Sequence, residues 1–469
     1  MSNIVPPRPD ITYLPHQLDG VRWMLAREDP AAVVCRGGIL ADDMGLGKTF
    51  QTIGLLKNAP VVLRTLIVCP PALIAGWTAE LRACSYTVAV LVPGSSSWNV
   101  PYTPNVVYLT SYSKACLYRR ELALAEPAFA RVVLDEGHVI RNGLDTSRWM
   151  SCMAIAKRAT CRWILSATPV QNGSTDWRNL CWWLRVRCPA PMIPELAPTV
   201  MLRRTMEELR GIDGMPSVPR FIRHELSIPE RTEEGMLFRI LCDQMDNALE
   251  NRSMSALIKL ELWMRIQQFL VHPQIYIDAM RASMERKGGV YSRPDWSQDA
   301  TATKWNACMT ELRRAVDQKV GTIVFCQFRA EMDRVCLAAE DMGASVFAIR
   351  GGMPSQTVGE AVAAASAAVE EGRAVVVVVQ IVAGGAGLNL QFCGRILFLS
   401  QHWNPAVVHQ AVGRAVRIGQ RDCVEIHFFA VVDDVCDNLD RHMGVIHRSK
   451  IDGAREICAS LYEGFSLSP

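Results

Sequence analysis

An acid pair, a lysine and a hydroxyl stand at spacings that suit a phosphate ester. The run Gly38-Ile39-Leu40-Ala41-Asp42-Asp43-Met44-Gly45-Leu46-Gly47-Lys48-Thr49 ends in Gly-x-Gly-Lys-Thr. A triphosphate concentrates negative charge, so a loop that holds it must bring several backbone N–H groups close. Gly45 and Gly47 leave room for that approach. Lys48 can reach the β and γ phosphates, and the Thr49 hydroxyl suits Mg²⁺. Asp42, Asp43, Met44 and Leu46 complete the expected phosphate-binding loop, and the apolar run 50–56 reads as a helix with its N-terminus at the phosphates. The usual spacing places a glycine where Asp42 stands. A glycine-rich turn with an incidental lysine reads the same in isolation, so the rest of the chain decides.

The second chemical signal is Asp135-Glu136-Gly137-His138, reached directly from the apolar run Arg131-Val132-Val133-Leu134. A strand that ends on two acids puts both carboxylates at its C-terminal edge, where parallel sheets bind ligands. Asp135 is then placed to hold Mg²⁺, and Glu136 to orient and deprotonate the attacking water. An acidic turn after a core strand is the plain alternative, disfavoured by the phosphate loop upstream. A third strand, Trp163-Ile164-Leu165, ends in Ser166-Ala167-Thr168-Pro169-Val170-Gln171-Asn172, small hydroxyl groups that could couple a γ-phosphate to movement elsewhere. Upstream, Gln17 on the segment 11–27 offers an amide that can read an adenine edge with one donor and one acceptor.

The elements around these groups alternate. Strands are expected at 66–69, 105–109, 131–134 and 163–165, with a helix at 73–81, and the pattern restarts with strands at 320–325, 346–350, 374–381 and 396–399. Between the halves, four prolines from Pro189 to Pro198 mark a boundary, 230–249 and 256–270 read as long amphipathic helices, and 280–305 is polar. Late in the chain, Arg414 and Arg417 are three apart in a helical pattern and so are expected to share one helix face. A guanidinium stays charged and forks onto phosphate oxygens, so this pair suits a γ-phosphate; a solvated basic face is the alternative.

Composition bounds the rest. The chain has 469 residues, enough for two to three domains, with 49% hydrophobic residues and a net charge of +3 too small to imply nucleic acid by itself. The proline-bearing start, residues 1–10, does not read as a signal peptide, and the apolar run 374–390 is broken by glycines rather than suited to a membrane. None of the 16 cysteines sits in a Cys-x-x-Cys pair, which points to reduced, buried thiols and away from zinc.

The order Gln17, Asp42–Thr49, Asp135–His138, Ser166–Thr168 resembles the first RecA-like half of superfamily-two helicases, and the wording of 37–49, 132–142 and 167–172 is closest to the SWI/SNF family of DNA-dependent ATPases. Within it the chain resembles the subgroup of RING-bearing post-replication-repair translocases and the RNA polymerase II termination factor; Leu202-Arg203-Arg204-Thr205 and Met215-Pro216 look like that family's segment after the first lobe. Gly384–Leu390 and Gln410–Gln420 match the fifth and sixth motifs, and Gly385 is counted with the ATP-binding residues. Ser166-Ala167-Thr168 departs toward true helicases, and Cys326 stands where the family often has serine.

The resemblance implies an α/β fold of two RecA-like lobes with parallel sheets and a helical insertion between them: lobe 1 over 1–198, a protrusion over 199–280, a linker over 281–305 and lobe 2 over 306–469. It implies ATP and Mg²⁺ as cofactors, with Lys48, Asp135, Glu136, Arg414 and Arg417 as the catalytic set. Double-stranded DNA is the implied partner, contacted without sequence preference near Pro70, Ser111, Tyr112, Gln327 and Asn389. Chromatin, polymerase or other DNA-bound proteins would be the objects moved, at nuclear or viral DNA. The chain lacks recognisable reader segments and the cysteine–histidine cluster of a RING, so a nearly bare motor is expected, with no membrane or zinc role. A strand-separating helicase and a non-catalytic DNA-binding scaffold are the rival readings.

Overall fold

The computed structural model describes residues 4–31, 34–60, 62–91, 105–143, 146–171, 173–189, 192–251, 253–297, 301–381, 388–400, 402, 404–420 and 422–432. Gly384 to Gly387, and with them Gly385, lie outside the described residues, as do Asn172 and Trp403. The chain divides into two compact units, with residues up to 216 forming the bulk of the first and 217–416 the bulk of the second.

The first unit holds helices α1 (Pro15–Glu28), α2 (Lys48–Asn58), α3 (Ile74–Ala83), α4 (Tyr112–Leu117), α5 (Arg119–Ala123), α6 (Ser147–Ile155), α7 (Ser174–Trp183) and α8 (Ile193–Val200). Its strands are β1 (Gly37–Leu40), β2 (Thr65–Cys69), β3 (Thr87–Val90), β4 (Val106–Ser111), β5 (Arg131–Asp135), β6 (Cys161–Leu165) and β7 (Met201–Leu202). They form one seven-stranded parallel sheet in the order β3-β4-β2-β5-β6-β1-β7. The central strands are buried along their whole length, as continuous apolar runs require in a sheet covered on both faces.

Register decides where the chemistry goes. Leu40 of β1 pairs with Leu165 of β6, and Leu165 pairs with Asp135 of β5. Three neighbouring strands therefore end level, and the segments that follow them, 41–49, 136–138 and 166–171, emerge side by side at one edge. A buried ion pair locks the layer beneath. Glu28 at the end of α1 is bonded by Arg131 Nε (2.6 Å) and by Trp163 Nε1 (2.9 Å), which joins that helix to β5 and β6.

The second unit holds α9 (Glu233–Glu250), α10 (Ala256–Val271), α11 (Pro273–Arg286), α12 (Thr303–Asp317), α13 (Arg329–Asp341), α14 (Ser355–Glu370) and α15 (Pro405–Val412). Its strands are β8 (Arg220–Leu226), β9 (Thr322–Cys326), β10 (Ser345–Ile349), β11 (Val375–Gln380), β12 (Arg395–Phe398) and β13 (Glu425–Val431). All six are parallel, in the order β10-β11-β9-β12-β13-β8. Phe325, Phe398 and Phe428 stack across three neighbouring strands at 5.0 and 4.8 Å. Helices α9 to α11 carry their own small core, in which Phe238 and Phe269 stack at 6.0 Å.

Two differences from the sequence reading concern the middle of the chain. β7 lies beyond residue 198 and still belongs to the first sheet, and β8 lies inside the span read as helical and pairs with β13 in the second. Arg-Phe-Ile-Arg-His-Glu-Leu hides β8 because an edge strand with alternating charged residues has little apolar signal. A third difference concerns the late arginines. α15 ends at Val412, and Arg414 and Arg417 lie in the turns after it rather than on a shared helix face. Gly413 is a poor helix former, and the backbone there tightens to bonds from Arg414 N to Ala411 O and from Ala415 N to Val412 O.

Candidate nucleotide site

The phosphate loop is built by two left-handed glycines. Gly45 has φ +82° and Gly47 φ +85°, backbone that a side chain rarely adopts. A Cβ at Gly47 would also lie 2.5 Å from Gln17 Nε2. Lys48 and Thr49 then open α2. The Lys48 ammonium donates to the carbonyls of Asp42 (2.6 Å) and Asp43 (3.1 Å), so it is folded back across its own loop. Burial pushes Lys48 down from its ordinary value, while Glu136, Asp42, Asp135 and Asp43 pull the other way.

The carboxylates of Asp42 and Asp43 are both engaged by arginines. Asp42 is fully buried and bonded by Arg204 Nε (3.0 Å), Arg204 Nη2 (2.5 Å) and Gln51 Nε2 (3.0 Å). Asp43 accepts from Arg203 Nη2 (2.8 Å) and from Met206 N (3.1 Å). Arg203 further donates to the carbonyls of Ala41 (2.8 Å) and Ala167 (2.9 Å), which ties the phosphate loop to the segment after β6. Arg204 also donates to the His16 carbonyl and to Gln51 Oε1 (2.9 Å). Sequence reasoning saw Arg203 and Arg204 only as family wording and missed Gln51; polar residues inside otherwise apolar elements were the available signal.

Gln17 is buried and occupied at both ends of its amide. It accepts from Leu14 N at 3.1 Å, closing the start of α1, and its Nε2 lies 3.4 Å from Leu46 O. His16 Nε2 meets the same carbonyl at 3.1 Å, and burial lowers its basicity. Both side chains brace the phosphate loop from below.

The second acid pair is held differently. Asp135 accepts from Trp77 Nε1 at 2.7 Å and from the Glu136 amide at 3.0 Å. Burial, and then the neighbouring Glu136 charge, push Asp135 up to about 6. Glu136 has a left-handed backbone, φ +51°, at a cost of roughly 1–2 kcal/mol for a non-glycine residue. Its carboxylate lies 3.3 Å from His138 Nδ1, and that nitrogen is 3.1 Å from Ser166 Oγ. Ser166 Oγ accepts from Thr168 N (3.2 Å), Thr168 Oγ1 accepts from Gln171 Nε2 (3.3 Å), and Gln171 N donates to Asp176 (2.9 Å). A continuous polar chain thus runs from Glu136 to the start of α7.

The residues expected near DNA separate into two kinds. Tyr112 is buried and donates its hydroxyl to the Asp135 carbonyl at 2.9 Å, and Ser111 is buried as the N-cap of α4. Tyr112 thus braces Asp135, whereas the Ser111 hydroxyl caps its own helix by accepting from Lys114 N at 3.3 Å. Pro70 is partly exposed after β2. In the second unit Asn389 is exposed and Gln327 partly so. The segment around Gln327 is fixed by fully buried Glu331, which accepts from Gln327 N (2.8 Å), Phe328 N (3.1 Å) and Ser400 Oγ (2.6 Å). Sequence reasoning missed Glu331, although an acid in the first turn of a helix is a capping signal. Arg414 is buried, and its carbonyl accepts from Leu390 N at 3.0 Å.

Two parallel sheets, the first carrying a phosphate loop and a strand-end Asp-Glu pair, define a nucleotide hydrolase of RecA-like architecture. Residues 16–188 match the SNF2-related domain and residues 303–419 the helicase conserved C-terminal domain, and the chain belongs to the SWI/SNF family of superfamily-two ATPases, which hydrolyse ATP. It is 24% identical to a "Probable global transactivator" of Orgyia pseudotsugata multicapsid polyhedrosis virus, over 92% of this chain and 88% of that protein. It is 24% identical to the "Uncharacterized ATP-dependent helicase YqhH" of Bacillus subtilis (strain 168), over 92% of this chain and 77% of that protein. The "DNA repair protein RAD5B" of Arabidopsis thaliana is 25% identical over 88% of this chain, which spans 45% of that protein. Among solved structures, the Sulfolobus solfataricus SWI2/SNF2 ATPase core in complex with dsDNA aligns with 97% of this chain and 96% of that one, at 20% identity and a TM-score of 0.41. No described helix is long and apolar enough to cross a membrane.

Proposed function

We propose that this chain is an ATP-driven motor that moves along double-stranded DNA without sequence preference and displaces or remodels proteins bound to it. The observation that carries the chemistry is the level ending of β1 and β5, which brings Lys48, Asp135 and Glu136 to one edge. DNA as the track is supported by the family and by the repair relative.

The residues present fit Mg²⁺. Asp135 is held by neutral donors, and its raised affinity for a proton marks charge that a hard cation can offset. Thr49 and Asp135 would hold the ion, which when bound would offset negative charge on the phosphates. Lys48 leaves the carbonyls of Asp42 and Asp43 for the phosphates, and Glu136 takes the proton of the attacking water. Loss of the γ-phosphate is felt through His138, Ser166, Thr168 and Gln171. Arg414 and Arg417 act on the transferring phosphate, where a fixed guanidinium stabilises the transition state.

The test pairs triplex displacement with forked-duplex unwinding, both driven by ATP. Displacement of the third strand with no unwinding is expected. Efficient fork unwinding, with hydrolysis stimulated by single strands alone, would assign a strand-separating helicase instead.

A further inference from the structure

The ends of α6 and α7 enclose a groove of about 590 Å³ in the first unit. Its place follows from topology. Both helices run back from the edge where β5 and β6 end, so Lys157 after α6 and Arg185 to Arg187 after α7 sit where β6 begins, at Cys161. The groove is therefore at the opposite edge of the sheet from Lys48, Asp135 and Glu136, and an occupant there leaves the nucleotide edge open.

The lining has two parts. Trp149 and Trp182 meet edge to face at 5.6 Å, and with Met150 and Met153 they form an apolar wall. Trp182 is 52% exposed and Met150 42%, high values for side chains of this size. The charged residues of the lining are all cations: Lys157 and Arg187 are exposed, Arg185 donates to the Lys157 carbonyl, and Arg162 donates to the carbonyls of Ala156 (2.5 Å) and Trp183. No lining residue is acidic, and none carries an amide or hydroxyl side chain.

We infer that this groove docks a short acidic segment of a partner protein, with one large apolar side chain seated against Trp182, Met150 and Met153 and flanking carboxylates at Lys157 and Arg187. Charge complementarity and an adaptable methionine–tryptophan wall favour such a segment. A nucleobase is disfavoured, because the lining side chains donate but none accepts, so a base's amino hydrogens would find no side-chain partner. Docking there attaches the motor to its partner and leaves hydrolysis as it was.

The test uses the full chain and fluorescein-labelled peptides in which Glu and Asp flank a central Phe, Trp, Leu or Met, with a Gly-centred and a Lys-flanked peptide as controls. Fluorescence anisotropy should saturate for at least one apolar-centred acidic peptide and for neither control, and weaken with added salt. Lys157→Glu combined with Arg187→Glu should weaken that binding about tenfold or more while leaving melting temperature and ATP turnover unchanged, since both side chains are exposed. Trp182→Ala should weaken it independently of charge. The proposal is overturned if no acidic peptide saturates, if the double charge reversal leaves binding intact, or if oligothymidylate displaces the peptide, which would make this a nucleic-acid surface.

Discussion

Asp42-Asp43 and Asp135-Glu136 are two adjacent acid pairs at one edge of the same sheet, and they are held in opposite ways. Asp42 and Asp43 are each bonded by an arginine, Arg204 and Arg203, from a segment about 160 residues further along. Asp135 is bonded by an indole and an amide, neither of which carries charge, and its proton affinity rises. The first pair is neutralised and fixes the loop. The second has no arginine on Asp135, and in the function proposed above its charge meets the ion that would arrive with the nucleotide. Acidic residues at one edge thus divide into frame and chemistry by which partners fold against them, and each half of that division can be broken separately.

The largest effect should come from breaking the frame. Arg204→Ala leaves Asp42 buried without its cation, a change that costs about 3–5 kcal/mol when one partner of a buried pair is removed. Chemical denaturation should show that loss, and Asp42→Asn in the same background should recover a large part of it. An Arg204→Ala protein as stable as the parent would mean that Asp42 is not held as described. Lys48→Ala should act on the other side of the comparison. Turnover should fall by about 10²–10³-fold as a cation near the transferring phosphate is lost, with stability little changed. A large drop in stability with turnover retained would place Lys48 in the frame instead.

The pH response sharpens the contrast. Asp135 holds its proton up to about 6, above the ordinary carboxylate value, so in the free protein this group favours the fold at low pH, and that contribution is lost as pH rises from about 4 through 6. Nucleotide binding with Mg²⁺ should run the other way and strengthen over the same range, because the ion competes with the proton. Asp135→Asn should remove both trends; their persistence in that variant would assign them to another group. The smallest effect is expected from Tyr112→Phe. It removes one hydrogen bond to the Asp135 carbonyl, worth roughly 1 kcal/mol, and should lower the melting temperature without altering the salt dependence of DNA binding. A changed salt slope would return Tyr112 to the DNA surface.

The sequence made the alternating α/β pattern legible wherever strands are continuous apolar runs, as at β5, β9 and β11. It concealed β8, whose charged edge residues break the apolar run, and it extended a helix through Gly413 because the apolar spacing continues past it. Lys48, Asp135 and Glu136 could be read locally, since a glycine-rich loop and a strand ending in acids are each short signals. The division between the two acid pairs could not be, because Arg203 and Arg204 reach Asp43 and Asp42 only through long-range folding. Tyr112 shows the same limit: a residue after a strand can face a ligand or brace a neighbour, and only the hydrogen bond to Asp135 separates the two.

The most direct measurement is phosphate release by the parent protein and by Glu136→Gln, with and without duplex DNA, alongside binding of a fluorescent ATP analogue. The account predicts that duplex DNA raises the parent's rate, and that Glu136→Gln binds the analogue as the parent does yet falls at least about 10²-fold in turnover under both conditions. A Glu136→Gln protein that hydrolyses ATP at the parent's rate would contradict it.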